Sequence, residues 1–293
     1  MITPFQNGDV DYDSADLFTH YLVDSGVHGL VVGGTTGEGP ALAAVEKARL
    51  LDTVATAASG RIPVFMGLEG ANTAKMIAEL SEIGDCPVDG YLLPAPSYVR
   101  PSQEGIYQHF MKIADAVRRP VMIYDIPART GVPISTDTIL RLVASGRFPA
   151  IKACGLSTEH LQALLAIPNL HVMCGDDSWI SRALEMGAHG AVAASAQVAP
   201  QRFMDAYALH KRGSAGAASK RFNTLTPLIQ SLFSEPNPGP VKAALALQGW
   251  CCDELRLPMM PATPACREGL QMTLGVMHAL DHDARVYADK SSK

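Results

Sequence analysis

Short apolar runs alternate along the chain with longer stretches whose apolar residues recur at helical spacing. The runs fall at residues 28–33, 62–67, 90–93, 121–124, 150–153, 171–174 and 190–194. Each is nearly continuous in apolar character, as expected of strands buried on both faces. Successive starts lie about 19 to 34 residues apart, the spacing of strand–helix units. Between them, Asp137 or Ser135 is placed to cap a helix carrying Ile139, Leu140, Leu142 and Val143. Ser157 opens another, with Leu161, Leu164 and Leu165 on one face, and Ser102-Gln103-Glu104 opens a third that ends near Arg118-Arg119-Pro120.

These repeats predict an α/β fold, a (β/α)8 TIM barrel. The eighth strand has one candidate, Met1-Ile2-Thr3-Pro4-Phe5, which is short and ended by Pro4; either this strand is stunted or translation starts upstream. Beyond residue 200 no further strand is expected. Helices there are interrupted at Glu235-Pro236-Asn237-Pro238-Gly239-Pro240 and at Leu257-Pro258-Met259-Met260-Pro261. The predicted organisation is a barrel over residues 1–212 and a C-terminal helical extension over 213–293. The polar tail from Asp281 to Lys293 is expected to fray.

Composition narrows the function. The chain is 293 residues long, 47% hydrophobic and 18% charged, ordinary for a globular protein with a large core. Its net charge is −5 with no basic cluster, which argues against nucleic acid and anionic membranes as partners. The 6 cysteines form no C-x-x-C pair and read as free thiols in a reducing compartment. The first residues carry no basic segment followed by an apolar one, and no apolar run reaches the ~18 residues of a membrane helix. A cytoplasmic location is expected.

In a barrel, reactive groups sit at the C-terminal ends of the strands and in the loops that follow. Lys152 interrupts the apolar run Pro149-Ala150-Ile151-Lys152-Ala153-Cys154-Gly155. Alternation turns its side chain away from those of Ile151 and Ala153, toward the lumen. A buried lysine lowers its pKa and becomes a free amine, the nucleophile for imine formation with a ketone. The same lysine, paired with a carboxylate, is equally a structural strut, and this strand alone leaves both readings open. Tyr124 ends the preceding strand and can relay protons as a phenol; taken alone, a packed tyrosine bonded to backbone has the stronger claim. Arg129, in the loop beyond, suits a carboxylate or is a solvated loop charge.

Gly33-Gly34-Thr35-Thr36-Gly37-Glu38-Gly39 follows the second barrel strand. It lacks the lysine of a phosphate-cradling loop and the spacing of a dinucleotide fingerprint. Its hydroxyls and backbone N–H groups suit a small carboxylate. Gly175-Asp176-Asp177 reads as a structural or capping element. No third ligand is nearby and the 9 histidines are dispersed, so no metal site is expected.

Gly34-Thr35-Thr36-Gly37-Glu38 resembles the carboxylate-binding loop of the dihydrodipicolinate synthase / N-acetylneuraminate lyase family. Tyr124 to Gly131 is similar to its Tyr-Asn-x-Pro-x-Arg-Thr-Gly segment, and Ile151-Lys152 to its Schiff-base strand. The likeness extends through Pro101 to Gly105 and Glu235 to Lys242, in the family's order over nearly the whole chain. The resemblance implies that Lys152 forms an imine with pyruvate, with no cofactor besides that covalent link. It implies that Tyr124 relays protons and that Thr35 links Tyr124 to Tyr98, the tyrosine that reaches a neighbouring subunit's site. Thr36 would hold the pyruvate carboxylate, and the Val192 carbonyl would touch pyruvate. The imine would become an enamine and attack an aldehyde.

Arg129 and the Glu-Pro-Asn-Pro stretch resemble the synthase branch, in which the acceptor is L-aspartate 4-semialdehyde, the product 4-hydroxy-tetrahydrodipicolinate and the pathway lysine and diaminopimelate biosynthesis. The branch implies a homo-oligomer, a dimer or dimer of dimers. Four features depart from it. Asp125 replaces the usual Asn. Lys152-Ala153-Cys154-Gly155 is one residue shorter than Lys-Glu-Ala-x-Gly and lacks its Glu. Ser97 replaces a tyrosine of lysine-regulated members. Ala44, Lys47, Ala71 and Lys75 replace their His, His, Asn and Glu. Lys47 and Lys75 would repel a lysine effector, so strong lysine inhibition is not expected. Two alternatives remain: a same-family aldolase or hydratase-aldolase acting on a 2-oxo-3-deoxy sugar acid or another aldehyde acceptor, and a non-catalytic regulator that binds 2-oxo acids.

Overall fold

A computed structural model describes residues 1–291. A two-stranded antiparallel hairpin, β1 (Phe5–Gln6) and β2 (Asp9–Val10), leads into α1 (Tyr12–Asp24). Strand–helix alternation follows: β3 (Leu30–Val32), α2 (Ala44–Ala58), β4 (Val64–Gly67), α3 (Thr73–Ile83), β5 (Gly90–Pro94) and α4 (Gln103–Ala116). Next come β6 (Val121–Asp125), the short α5 (Pro127–Thr130), α6 (Thr136–Ala144), β7 (Ala150–Ala153), α7 (Thr158–Leu165), β8 (His171–Cys174), α8 (Ile180–Glu185), β9 (Gly190–Ala191) and α9 (Pro200–Lys211). The C-terminal helices are α10 (Ala215–Asn223), α11 (Thr226–Leu232), α12 (Gly239–Leu247) and α13 (Pro264–Ser291). Strands β3 to β9 form one parallel sheet of 7 in sequence order, the wall of a (β/α)8 barrel with a helical C-terminal region.

All seven predicted barrel strands are present, and the caps expected from sequence hold the helices. Ser135 accepts from the Thr138 amide, Ser157 from His160 and Ser102 from Gly105, each satisfying an otherwise free first-turn N–H. The breaks before α12 and before α13 coincide with the two proline-rich segments. Helix α13 continues to Ser291, past the point where fraying was expected; Ser292 and Lys293 lie outside the described residues.

The eighth stave differs from expectation. Residues 1–5 do not join the parallel ladder, because Pro4 has no N–H and the chain turns into the hairpin. Met1 to Thr3 instead bridge the seam between β3 and the segment after β9. The Met1 amine donates to Val31 O (2.6 Å), the Ile2 amide to Gln197 Oε1 (2.8 Å) and the Thr3 hydroxyl to Gly37 O (2.6 Å). An apolar cavity of about 370 Å3, lined by Met1, Val31, Phe65, Met122, Met173 and Val192, lies along this seam.

The core has two layers. Ile123, Ile151, Val172 and Cys174 face outward and pack with Phe18, Phe110 and Phe148 of the surrounding shell. Leu92, Tyr124 and Cys154 form a separate lumenal cluster with Val31, Met122 and Ile126. The cysteines are free, and no described helix is long and apolar enough to cross a membrane.

Candidate active site

In a parallel ladder, paired residues stand side by side on one face. Pro94 pairs with Tyr124, Tyr124 with Lys152, and Lys152 with Met173. The amine of Lys152 therefore lies 4.4 Å from the centre of the Tyr124 ring. Among the described residues Lys152 has no ion-pair partner. Desolvation by burial lowers its pKa from the usual 10.5; the negative fields of Asp177 and Asp176 oppose this in part. Burial raises the Tyr124 phenol above its usual 10. The Cys154 thiol, in the segment after Lys152, packs in the same lumenal cluster as Tyr124. That thiol is pushed up to about 12 by burial, so it remains protonated at neutral pH. Gly175 lets the two strands approach here, since a Cβ would lie 2.4 Å from Cys154 Sγ and 3.0 Å from Lys152 Cε.

Thr35 and Thr36 ride on a single turn of 3-10 helix ended by Glu38 in the left-handed conformation (φ 51°). The C-terminal region holds this turn. Asn237 Nδ2 donates to Thr36 Oγ1 at 3.0 Å. Glu38 Oε1 pairs at 2.6 Å with Lys242, whose side chain is 0% exposed. The Arg256 amide donates to Glu38 Oε2 at 3.1 Å, and its guanidinium pairs with Glu46 at 2.6 Å. Sequence reasoning saw the Glu235–Lys242 motif but not these roles, because no local pattern reports a partner 201 residues away.

Thr35, Tyr124 and Arg129 line one cavity of about 360 Å3 together with Ser97, Glu69, Asn237 and Leu257. Arg129 extends from α5 with no ion-pair partner among the described residues. Lys152 sits behind the Tyr124 ring rather than among the lining residues, and Val192 lines the seam cavity instead. Tyr98 is not brought to Thr35 within the chain: it is 92% exposed, with φ at 70°.

Asp176 and Asp177 bond to backbone amides. Asp176 accepts from the Gly155 amide (2.6 Å), and Asp177 from the Ser195 and Ala194 amides (2.6 and 3.3 Å). Asp125 accepts from the Ile134 amide at 3.2 Å, tying down the loop that carries Arg129; burial raises its carboxyl to about 6. No group of 3 or more histidine, cysteine or carboxylate side chains among the described residues is arranged to hold a metal.

A buried amine, a phenol and a hydroxyl-bearing turn gather at the loop end of a (β/α)8 barrel, where barrel enzymes carry their chemistry. The family model of the dihydrodipicolinate synthetase family matches residues 1–276. The 4-hydroxy-tetrahydrodipicolinate synthase of Leptospira biflexa serovar Patoc is 38% identical over 262 residues, 88% of this chain and 89% of that one. The crystal structure of dihydrodipicolinate synthase from Aquifex aeolicus superposes with a TM-score of 0.91 at 31% identity, covering 95% of this chain and 96% of that one. A structure described as the first monomeric dihydrodipicolinate synthase variant matches with a TM-score of 0.91 at 31% identity, over 94% of each chain. The chain belongs to the dihydrodipicolinate synthetase family. It is a lyase.

Proposed function

We propose that this protein condenses pyruvate with L-aspartate 4-semialdehyde to 4-hydroxy-tetrahydrodipicolinate through an imine on Lys152. The observation that carries the reading is the unpaired, desolvated amine of Lys152 in register with Tyr124. An unpaired buried lysine has no value as a strut, and its lowered pKa supplies the free amine that attack on a ketone requires. Lys152 adds to C2 of pyruvate and water leaves. Thr36 and the neighbouring N–H groups hold the carboxylate, and the Val192 carbonyl contacts the bound pyruvate. Loss of a proton from C3 gives an enamine, which attacks the aldehyde carbon; the acceptor's amine, freed of its proton, then adds to C2, closes the ring and displaces the Lys152 amine. Tyr124, which lines the same cavity as Thr35, passes the protons. Arg129 takes the semialdehyde carboxylate.

Exposed Tyr98 is assigned to the site of a second copy, so the working form is a homo-oligomer, a dimer or dimer of dimers. Free thiols support a reducing, cytoplasmic setting. Lysine is not expected to inhibit: Lys47 already pairs with Glu79 at 2.5 Å in the neighbouring cavity, which Lys75 also lines. Inhibition by lysine at low concentration would contradict this. The central test is borohydride trapping with pyruvate, expected to add mass at Lys152. A folded protein with no adduct overturns the mechanism. Comparing turnover of pyruvate plus L-aspartate 4-semialdehyde with pyruvate release from 2-oxo-3-deoxy sugar acids tests the acceptor.

A further inference from the structure

One carboxylate of the catalytic cavity has no task in the chemistry above. Glu69 follows β4 by two residues, at the barrel end where reactive groups gather. It lines the same cavity as Thr35, Tyr124 and Arg129. Its Oε1 is inaccessible to solvent and has no hydrogen-bond partner among the described residues. A buried oxygen left unpaired is costly, and such a group calls for a partner. Room for it comes from Gly39: a Cβ there would stand 2.2 Å from Glu69 Oε1. The carboxylate thus presses on the loop that carries Thr35 and Thr36.

No charged neighbour bonds to it directly: Lys47 attracts Glu69 from a distance but is engaged by Glu79 at 2.5 Å, and Glu79 repels Glu69. Burial leads these influences and raises the Glu69 carboxyl to about 7. A cation entering the cavity would restore its ionised form. Across the same cavity Arg129 offers an unpaired guanidinium. The cavity is therefore lined by one carboxyl group and one guanidinium, each without an ion-pair partner among the described residues, for whatever binds above the enamine.

We propose that Glu69 binds the α-ammonium of the acceptor aldehyde while Arg129 binds its carboxylate, so that this pair selects an amino-acid aldehyde over its amine-free analogue. The assignment rests on the proposed acceptor and deepens it: the two groups hold both ends of the amino-acid portion while the aldehyde carbon meets the enamine, before the amine loses its proton and closes the ring onto C2.

The test uses Glu69→Gln and Glu69→Ala in the full chain. Each is assayed with pyruvate and L-aspartate 4-semialdehyde, and with succinic semialdehyde, which lacks the amino group. Succinic semialdehyde is followed as a substrate or, without turnover, as a competitive inhibitor. Both variants are expected to lose about tenfold or more in kcat/KM for the amino aldehyde, carried by KM. Their response to succinic semialdehyde should change less than about twofold, and borohydride trapping of pyruvate should be unchanged. Equal losses for both aldehydes would make Glu69 structural and overturn the proposal, as would no loss for either. If the unaltered protein traps pyruvate but does not turn over the amino aldehyde, the acceptor assignment fails and this proposal with it. If it turns that aldehyde over and the variants keep the preference, only the role of Glu69 fails.

Discussion

Two buried lysines, in two parts of the molecule, show what separates a reactive amine from a strut. Lys152 lies in the barrel lumen over the ring of Tyr124, and Lys242 lies under the C-terminal helices, 4.0 Å from the ring centre of Phe5. Burial lowers the pKa of both. Lys242, however, pairs with Glu38 at 2.6 Å and donates to the Glu254 carbonyl at 2.6 Å. Its charge is matched at short range, which supports the ion-paired form and fixes the Thr35–Thr36 turn through Glu38. Lys152 has no ion-pair partner among the described residues and feels the more distant fields of Asp177, bonded to the Ser195 and Ala194 amides, and Asp176, bonded to the Gly155 amide. Burial is common to both; the partner separates the lysine held in an ion pair from the one proposed as the nucleophile.

The comparison breaks most readily at Lys152. Lys152→Met should abolish the pyruvate adduct and lower turnover by at least about a thousandfold. Its thermal stability at neutral pH should be unchanged or higher, because an unpaired buried amine is removed. Because the folded pKa lies below the unfolded 10.5, the unfolded chain binds more protons between the two values. The stability cost of Lys152 therefore grows as pH falls from 10.5 to the folded pKa and is complete below it. Any gain in Lys152→Met should shrink as pH rises toward 10.5, as melting curves across that range would show. A variant that is both inactive and strongly destabilised would place Lys152 with Lys242.

Tyr124→Phe gives Lys152 a plain ring, as Phe5 gives Lys242. Turnover should fall about 10²- to 10⁴-fold while slow borohydride trapping persists. Undiminished turnover would remove Tyr124 from the proton relay.

Lys242→Met strands the buried Glu38 carboxylate. It should cost about 3–5 kcal/mol in chemical denaturation. The double variant Lys242→Met with Glu38→Gln should recover part of that loss, because the stranded charge is gone. Equal destabilisation of the single and double variants would refute the pair as an electrostatic strut.

The smallest effect is expected at Asp125, a buried carboxylate with no lysine beside it. Its folded pKa of about 6 exceeds the usual 3.8, so the folded state binds more protons between those values. Asp125 therefore costs stability as pH rises from 3.8 to about 6, and the cost is complete above that. Asp125→Asn should gain about 1–3 kcal/mol at neutral pH, and the gain should disappear below pH ~4. Denaturation at the two pH values measures it; a gain that does not depend on pH would assign the effect to packing instead.

Much of the barrel was legible in the chain because its strands are buried on both faces and each begins near a glycine or proline. The helices were legible because Ser102, Ser135 and Ser157 supply caps that act locally. The first stave was not, since residues 1–5 find their partners in Val31, Gln197 and Gly37 rather than in a neighbouring ladder. Within the site, Lys152 and Tyr124 stood out as polar residues at strand ends, and the ladder sets them side by side. Val192 faces the seam cavity and Tyr98 faces outward, placements that strand periodicity does not report. Glu69 occupied a strand-end position that could have drawn notice, but its unpaired state emerges only when Gly39 and the Lys47–Glu79 pair are packed around it.

The amino-acid sequence by itself determined the alternation of strands and helices, the caps, and the presence of a lysine in an apolar strand. Periodicity and capping act over a few residues, and the chain carries them locally. Tertiary structure decided which polar groups find partners: Glu38 meets Lys242, Thr36 meets Asn237, and Lys152 has no ion-pair partner among the described residues. Desolvation and ion pairing depend on what surrounds a group in three dimensions. The same side chain is therefore a strut in one part of this molecule and a nucleophile candidate in another.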